Sequence, residues 1–231
     1  MKTIIGTKAD VAKELTAQVA AVLASKPEAN IAISAVDLPV EVLDALAASD
    51  IAFDRATLFQ ACEYCGAAGK GAHAVGTAFS PLTAAKPFAA VHAPDPDADA
   101  EHAADYDAAI QAAGGLDLVI LGLGERGHVA FNEPGAGFGD KTHIAKLAEV
   151  TREAIAADFG TLEQTPKHGI TIGIHTILGA KKILLVGFGA RCAKAANATL
   201  TGRPETFIPA SFLQLHTDVE VYLDADAAAQ L

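Results

Sequence analysis

Apolar runs of strand length alternate along this chain with longer, Ala-rich segments whose apolar positions recur at helical spacing. Thr7 to Ser25 has that spacing and predicts a first helix, with Thr7 and Asp10 as a capping pair. Ile31–Val36 (IAISAV) predicts a strand, and Asp37-Leu38-Pro39 then opens a second helix running towards Ala48. Asp37 is its expected cap, and Pro39 fits the first turn, where a missing N–H has no helical partner to lose. Ile51–Phe53 reads as a short strand, whereas residues 62–85, rich in Gly and small side chains, show no clear period. Ala98–Ala113 predicts a helix stopped by Gly114-Gly115, and Leu116–Leu121 (LDLVIL) a strand without alternation, as expected where both faces are covered. Ile170–Ile174, Ile183–Val186 and Val219–Leu223 are further strands; Thr151–Phe159, Ala190–Leu200 and the region around Ala210–Leu215 are helical. Strand–helix alternation over residues 1–231 implies one α/β domain with a mostly parallel sheet and helices on both faces.

Composition narrows the class. Of 231 residues, 51% are hydrophobic and 19% charged, which is ample for a buried core. No apolar run approaches the roughly 18 residues of a membrane span. The opening MKTIIGTKADVAKEL turns polar too early for a secretion signal. Three Cys do not suggest a disulfide scaffold, so a cytoplasmic protein is the expectation. The balance of 17 Lys+Arg against 28 Asp+Glu gives −11, with no long basic run, which disfavours nucleic-acid and anionic-membrane partners. Much of that charge sits at 94–107, where acids suit the positive end of a helix. His92, His102, His143, His168, His175 and His216 share no metal-ligand spacing. Cys62-Glu63-Tyr64-Cys65, with no second pair and only His73 nearby, reads as two incidental thiols. No metal and no cofactor are expected.

The chemistry-bearing segment follows Leu121. Gly122-Leu123-Gly124-Glu125-Arg126-Gly127 matches G-x-G-x-x-G, but a dinucleotide site needs a helix starting at that loop. The continuation HVAFNEPGAGFGD holds Pro134 and three more glycines, which prevent a regular helix. What the loop offers instead is His128 beside flexible backbone, with Asn132 and Glu133 shortly after. An accessible His with a carboxylate partner suits general acid–base work, and Glu133 is the partner in reach by sequence. From spacing alone, a His packed in a loop and satisfied by a carbonyl accounts for it equally well.

These residues carry a resemblance. LDLVILGLGERGHVAFNEPG, Leu116 to Gly135, resembles the signature of the glucosamine-6-phosphate deaminase and galactosamine-6-phosphate isomerase family, which is related to the 6-phosphogluconolactonases. GITIGIHTIL (169–178) and IPASFLQLH (208–216) resemble later family segments, so the likeness is specific from Leu116 to Leu223 and weak before it. It implies a modified Rossmann-like α/β fold and an enzyme that opens an amino-sugar phosphate ring, isomerises aldose to ketose and, in the deaminases, releases ammonia. It further implies His128 as the ring-opening acid–base with Glu133 as its carboxylate partner.

Four departures from the family stand out. Arg126 occupies the place of an acid or amide two residues before the His. The family's proton-shuttling Asp lies in an F-N-x-D-E segment after an early strand; read from Phe53, that position is Ala56, with Asp54 a substitute only across a shorter loop. The family's Gly/Thr-rich phosphate loop is replaced by Asp37-Leu38-Pro39-Val40-Glu41, whose carboxylates repel phosphate. Its phosphate-binding Arg and Lys fall at Ala157 and near Cys192. Gly187-Phe188-Gly189, opening a helix with Arg191 and Lys194, offers a compensating anion site, and Arg126 a planar donor fork. The expected ligand is a small anionic sugar phosphate, contacted by Gly124, Arg126, Gly127, Asn132, Gly189, Arg191 and Lys194. A homo-oligomer stays open. The alternatives are a non-catalytic sugar-phosphate binder and a lactonase-like hydrolase.

Overall fold

The computed structural model describes residues 1–66 and 75–231. In chain order the elements are β1 (Lys2–Gly6), α1 (Lys8–Ser25), β2 (Asn30–Ile33), α2 (Val40–Ala48), β3 (Thr57–Gln60), β4 (Cys62–Tyr64), α3 (Ser80–Ala85), β5 (Ala90–His92) and α4 (Asp105–Ala112). They continue with β6 (Leu118–Gly122), β7 (His143–Lys146), α5 (Glu149–Phe159), β8 (His168–Thr171), α6 (Ile174–Leu178), β9 (Lys182–Gly187), α7 (Ala193–Thr201) and β10 (Val219–Asp224).

Among the described residues, seven strands form one sheet in the order β1-β10-β9-β6-β2-β3-β5, and every neighbouring pair is parallel. The central strands are buried at consecutive residues, all five of β6 and all six of β10, because helices and loops cover both faces. In α1, Val11, Leu15, Val19 and Leu23 form the buried stripe, and the Thr7 hydroxyl caps the start by accepting from the Asp10 N–H. A second, antiparallel sheet of order β4-β8-β7 branches off where the chain leaves β3 through Ala61. Ala61 bridges the two: its N–H donates to the Ile33 carbonyl and its own carbonyl accepts from Ile172.

Several local expectations are corrected. Ile51–Phe53 is not a strand: Phe53 is buried against Phe88 and closes a turn with Ala56, and the ladder begins at Thr57. Ile170–Ile174 is split, because the chain turns at Gly173, where a β-carbon would fall 2.0 Å from the Asp140 carbonyl oxygen; strand precedes that point and α6 follows it. The helix expected over Ala98–Ala113 becomes regular only at Asp105, because the Asp99 carboxylate accepts from the Glu101 and His102 N–H groups in a tight turn. Lys2–Gly6 is an edge strand that the periodicity missed, and Pro209–Leu215 is 3-10 rather than α-helical. Asp37 does not cap α2, which starts after Pro39 with no side-chain cap. The unreadable stretch at 62–85 includes β4 and α3, and His73 lies outside the described residues. Among the described residues no helix is long and apolar enough to cross a membrane.

Candidate active site

From β2 the chain builds outward through β3 and β5, then returns to the other side of β2 with β6, β9 and β10. The reversal falls between β2 and β6, so the loops leaving their carboxyl ends diverge and open a crevice. Asp37 enters it from the loop after β2, His128 from the loop after β6 and Arg191 from the turn after the next strand, β9. Glycine makes this convergence possible. A β-carbon on Gly122 would lie 2.2 Å from the Asp37 carbonyl carbon, so only Gly lets the β2 loop rest on the end of β6. Asp37 itself sits in the left-handed region at φ 55°, which Asp tolerates better than most residues.

The three side chains are directly bonded. His128 Nε2 and Asp37 Oδ2 lie 2.7 Å apart, and Arg191 Nη1 donates to Asp37 Oδ1 at 2.9 Å. His128 is 5% exposed, and its buried Nδ1 has no hydrogen-bond partner among the described residues. Burial works against its charged form, but the bond to Asp37 and the charges of Asp37 and Glu133 outweigh burial and raise its pKa above the ordinary 6.5. Burial likewise works against Asp37 as an anion, yet His128 and Arg191 hold its carboxyl below the ordinary 3.8. The pair is therefore set up as imidazolium and carboxylate.

A cavity of about 540 Å³ opens beside the pair. Asp37, His128, Arg126 and Arg191 form its polar side; Tyr64, Ile155 and Phe159 form an apolar one. Tyr64 meets Phe159 edge-on, with centroids 5.4 Å apart, so an aromatic corner faces the charged pair. No α5 residue is fully buried: Ile155 and Phe159 pack against the core at one side and border this cavity at the other. Tyr64, Thr151 and Asp158 line it and went unnoticed in the sequence; helical spacing from Thr151 through Ile155 to Asp158 was the available signal.

The sequence-derived candidates divide. Glu133 does not bond His128: its Oε1 accepts from the Thr151 hydroxyl at 2.6 Å and the Ala148 N–H at 3.3 Å, and Arg126 Nη1 stands 3.9 Å from Oε2. Gly124 lies under the His128 ring, and Gly127, at φ 77°, turns the chain against Ile208. Asn132 is fully buried, donating to the Val129 and Ile172 carbonyls, so it braces the loop rather than facing a ligand. The Gly189 N–H, expected to meet an anion, donates instead to the Asp224 carboxylate at 2.9 Å. Lys194 is exposed on α7, outside the cavity lining. Asp54 is misplaced more severely: it precedes β3, so it sits at the amino end of the sheet, opposite the crevice, and borders a separate hollow with Arg55 and Pro27.

The structural start of β3 also moves the F-N-x-D-E comparison. Read after that strand, the segment is Phe59-Gln60-Ala61-Cys62-Glu63, which keeps the Phe and Glu and puts Cys62 in the Asp position. Cys62 is fully buried beside the Ser34 hydroxyl, and burial pushes its thiol up to about 12. At the positions of the family's phosphate-binding Arg and Lys, Ala157 is exposed on α5, and the Cys192 thiol is buried and donates to the Leu123 carbonyl. Among the described residues no group of three His, Cys, Asp or Glu is placed to hold a metal ion.

Sheet order and crevice define an α/β protein whose candidate site, with the His128–Asp37 pair, lies at the topological switch point. A family model for glucosamine-6-phosphate isomerases/6-phosphogluconolactonase matches residues 6–222, well beyond the carboxyl half where the motifs lie. The chain is 36% identical over 237 residues to a glucosamine-6-phosphate deaminase of Pseudarthrobacter chlorophenolicus, covering 99% of this chain and 91% of that one. Among solved structures, a monomeric glucosamine-6-phosphate deaminase superposes with TM-score 0.89 at 28% identity over the full length of both chains. A 6-phosphogluconolactonase from Trypanosoma cruzi shares the fold, with TM-score 0.78 at 16% identity over 100% of this chain and 96% of that one. This chain belongs to the glucosamine-6-phosphate isomerase/6-phosphogluconolactonase family.

Proposed function

We propose that this protein opens and isomerises a phosphorylated amino sugar of the glucosamine-6-phosphate type and releases its amino group as ammonia. The observation that carries this reading is the His128–Asp37 pair beside a cavity of about 540 Å³, in a chain 36% identical to a glucosamine-6-phosphate deaminase over 99% of its length. Opening a sugar hemiacetal moves a proton from the anomeric hydroxyl to the ring oxygen as the bond between C1 and that oxygen breaks. A charged imidazole beside the ring supplies the proton that the ring oxygen needs. Arg126, 40% exposed at its side chain and only loosely paired with Glu133, is the cation available to a phosphate at the cavity rim. The apolar corner of Tyr64 and Phe159 suits the carbon face of a pyranose.

The test is ammonia release from glucosamine-6-phosphate by the purified chain, with His128→Asn as the control. Losing one positioned acid–base group lowers kcat by about 10²- to 10⁴-fold. Ammonia release unchanged in that variant overturns the role of His128.

One observation favours a second reading, binding without turnover. A thiol whose pKa is pushed up to about 12 is protonated at neutral pH and cannot take a proton from carbon, and Cys62 stands where the family pattern has its Asp. Saturable binding of glucosamine-6-phosphate with no ammonia and no fructose-6-phosphate formed would select this second reading.

A further inference from the structure

We propose that Asp37 is the positioning residue of this site: it orients the His128 ring through Nε2, while Arg191 serves as the clamp on Asp37 rather than as a ligand for the substrate's phosphate. This rests on the reading of His128 as the acid–base group, and the experiment below is independent of turnover.

The argument starts from how the carboxylate is held. Each Asp37 oxygen has its own partner, Oδ2 with His128 Nε2 at 2.7 Å and Oδ1 with Arg191 Nη1 at 2.9 Å. A carboxylate tied at one oxygen can swing about its side-chain torsions; tied at both, it presents a fixed acceptor to the imidazole. The loops that bring the three residues together leave β2, β6 and β9, which are neighbours in the sheet in the order β9-β6-β2. The backbone is committed to the same end, since Asp37 holds a left-handed conformation and packs onto Gly122 where no β-carbon fits. A residue that merely capped α2 would need neither feature.

The charges around the imidazole assign the parts. From its own loop come Glu125, Arg126 and Glu133, from α5 Asp158, from the turn after β9 Arg191 and from the β2 loop Asp37. Among the described residues only Asp37 is hydrogen-bonded to the ring, and it is the largest of the influences favouring the imidazolium. Arg191 is itself a cation beside the pair, so its direct effect opposes the charge on His128. Its benefit is mechanical, through Asp37. The Arg191 guanidinium is already shared with a carboxylate inside the cavity through Nη1, whereas Arg126 stands 3.9 Å from its acid.

The experiment is an imidazole titration of the whole chain by long-range ¹H–¹⁵N correlation, with His128 assigned by its loss in His128→Asn. In the wild type, His128 should titrate above 6.5, and its neutral form should carry the proton on Nε2, the nitrogen facing Asp37. Asp37→Asn keeps the side-chain shape and tolerates the left-handed backbone. It should lower the His128 pKa by about one to two units and shift the neutral tautomer away from Nε2–H. An unchanged pKa and tautomer in a folded Asp37→Asn chain would overturn the assignment. Should that variant fail to fold, a wild-type His128 whose neutral form carries its proton on Nδ1 would overturn it equally. Arg191→Gln decides the clamp by sign: removing a neighbouring cation alone raises the His128 pKa, whereas freeing Asp37 lowers it. A rise would return Arg191 to the ligand-binding set. Absent ammonia release with these titrations intact would overturn the proposed reaction and leave the assignment of Asp37 standing.

Discussion

Gly124 lies directly beneath the His128 imidazole: a β-carbon built on it would fall 2.1 Å from Cε1 and 2.2 Å from Nε2. The two residues are also joined through the backbone, the Gly124 N–H donating to the His128 carbonyl at 3.0 Å. The small residue is thus part of how the ring is aimed. Gly124→Ala should leave the sheet intact but push the ring off Asp37. A displacement of about 1 Å at a reacting group costs on the order of 10²-fold in rate. The expected outcome is a drop of that size in ammonia release with little change in melting temperature. A variant with wild-type turnover would show that the ring has room to spare.

Asp54 provides the complementary control. It precedes β3 at the amino end of the sheet, and its side chain borders a hollow with Pro27 and Arg55, away from His128. Asp54→Asn should therefore leave kcat/KM within about twofold of wild type, since surface substitutions away from a site seldom exceed about 0.5 kcal/mol. A loss of tenfold or more would mean that the amino-end hollow takes part in the reaction.

What the sequence revealed, and what it hid, follows from where each signal is stored. Strands β6 and β9 were legible because burial on both faces makes Leu118–Leu121 and Ile183–Val186 continuously apolar, and β10 because Val219, Val221, Tyr222 and Leu223 keep an apolar run around Glu220. Edge strand β1 and the four-residue β3 were not, since Lys2, Thr3, Thr57 and Gln60 break the apolar run. That slip carried the F-N-x-D-E comparison to Phe53 and so to Ala56 and Asp54, although Phe59 and Glu63 already stood at the right spacing. His128 and its glycines were visible as a local pattern. Asp37 was not, because its partners come from β6 and β9 and its neighbours Leu38 and Pro39 advertise a helix start. Glu133 was preferred as the partner on sequence proximity, which says little about a loop whose turns at Gly127 and Ala130 both have positive φ.

Asp117 is an electrostatic anchor away from the site. Its side chain is 5% exposed and bonds Lys26 Nζ and Lys181 Nζ, each at 2.7 Å. It also accepts the Asn30 N–H at 2.9 Å, so it ties the end of α1, the start of β2 and the approach to β9 to the amino end of β6. Burial opposes its charge, but the two lysines and the backbone bond keep its pKa below 3.8. A lowered folded-state pKa contributes stability above the unfolded value that is lost as the pH falls through the folded one. Asp117→Asn should cost about 1–3 kcal/mol at pH 7. Its melting deficit relative to wild type should be full above the ordinary carboxylate pKa of 3.8 and shrink as the pH falls through the lowered folded-state value. A deficit independent of pH would assign the loss to packing.

Glu133 is the acid whose role the fold reassigns, and two substitutions separate the possibilities. Its Oε1 accepts from the Thr151 hydroxyl and from the N–H of Ala148, the residue that caps α5, so it pins the start of the helix bordering the cavity. Glu133→Ala removes the pin. One hydrogen bond of this kind is worth about 0.5–1.5 kcal/mol, so amide exchange across 149–159 should quicken by roughly three- to tenfold. Glu133→Gln keeps an acceptor for Thr151 but removes the charge, and should leave that exchange near wild type. Its effect on the His128 titration is the deciding number. Glu133 favours the imidazolium through space alone, whereas Asp37 does so through a bond as well as charge. The pKa drop in Glu133→Gln should therefore be clearly smaller than in Asp37→Asn, and the Nε2–H tautomer should survive. An equal or larger drop, with exchange in α5 unaffected by Glu133→Ala, would make Glu133 the working partner of His128 and leave Asp37 a bystander.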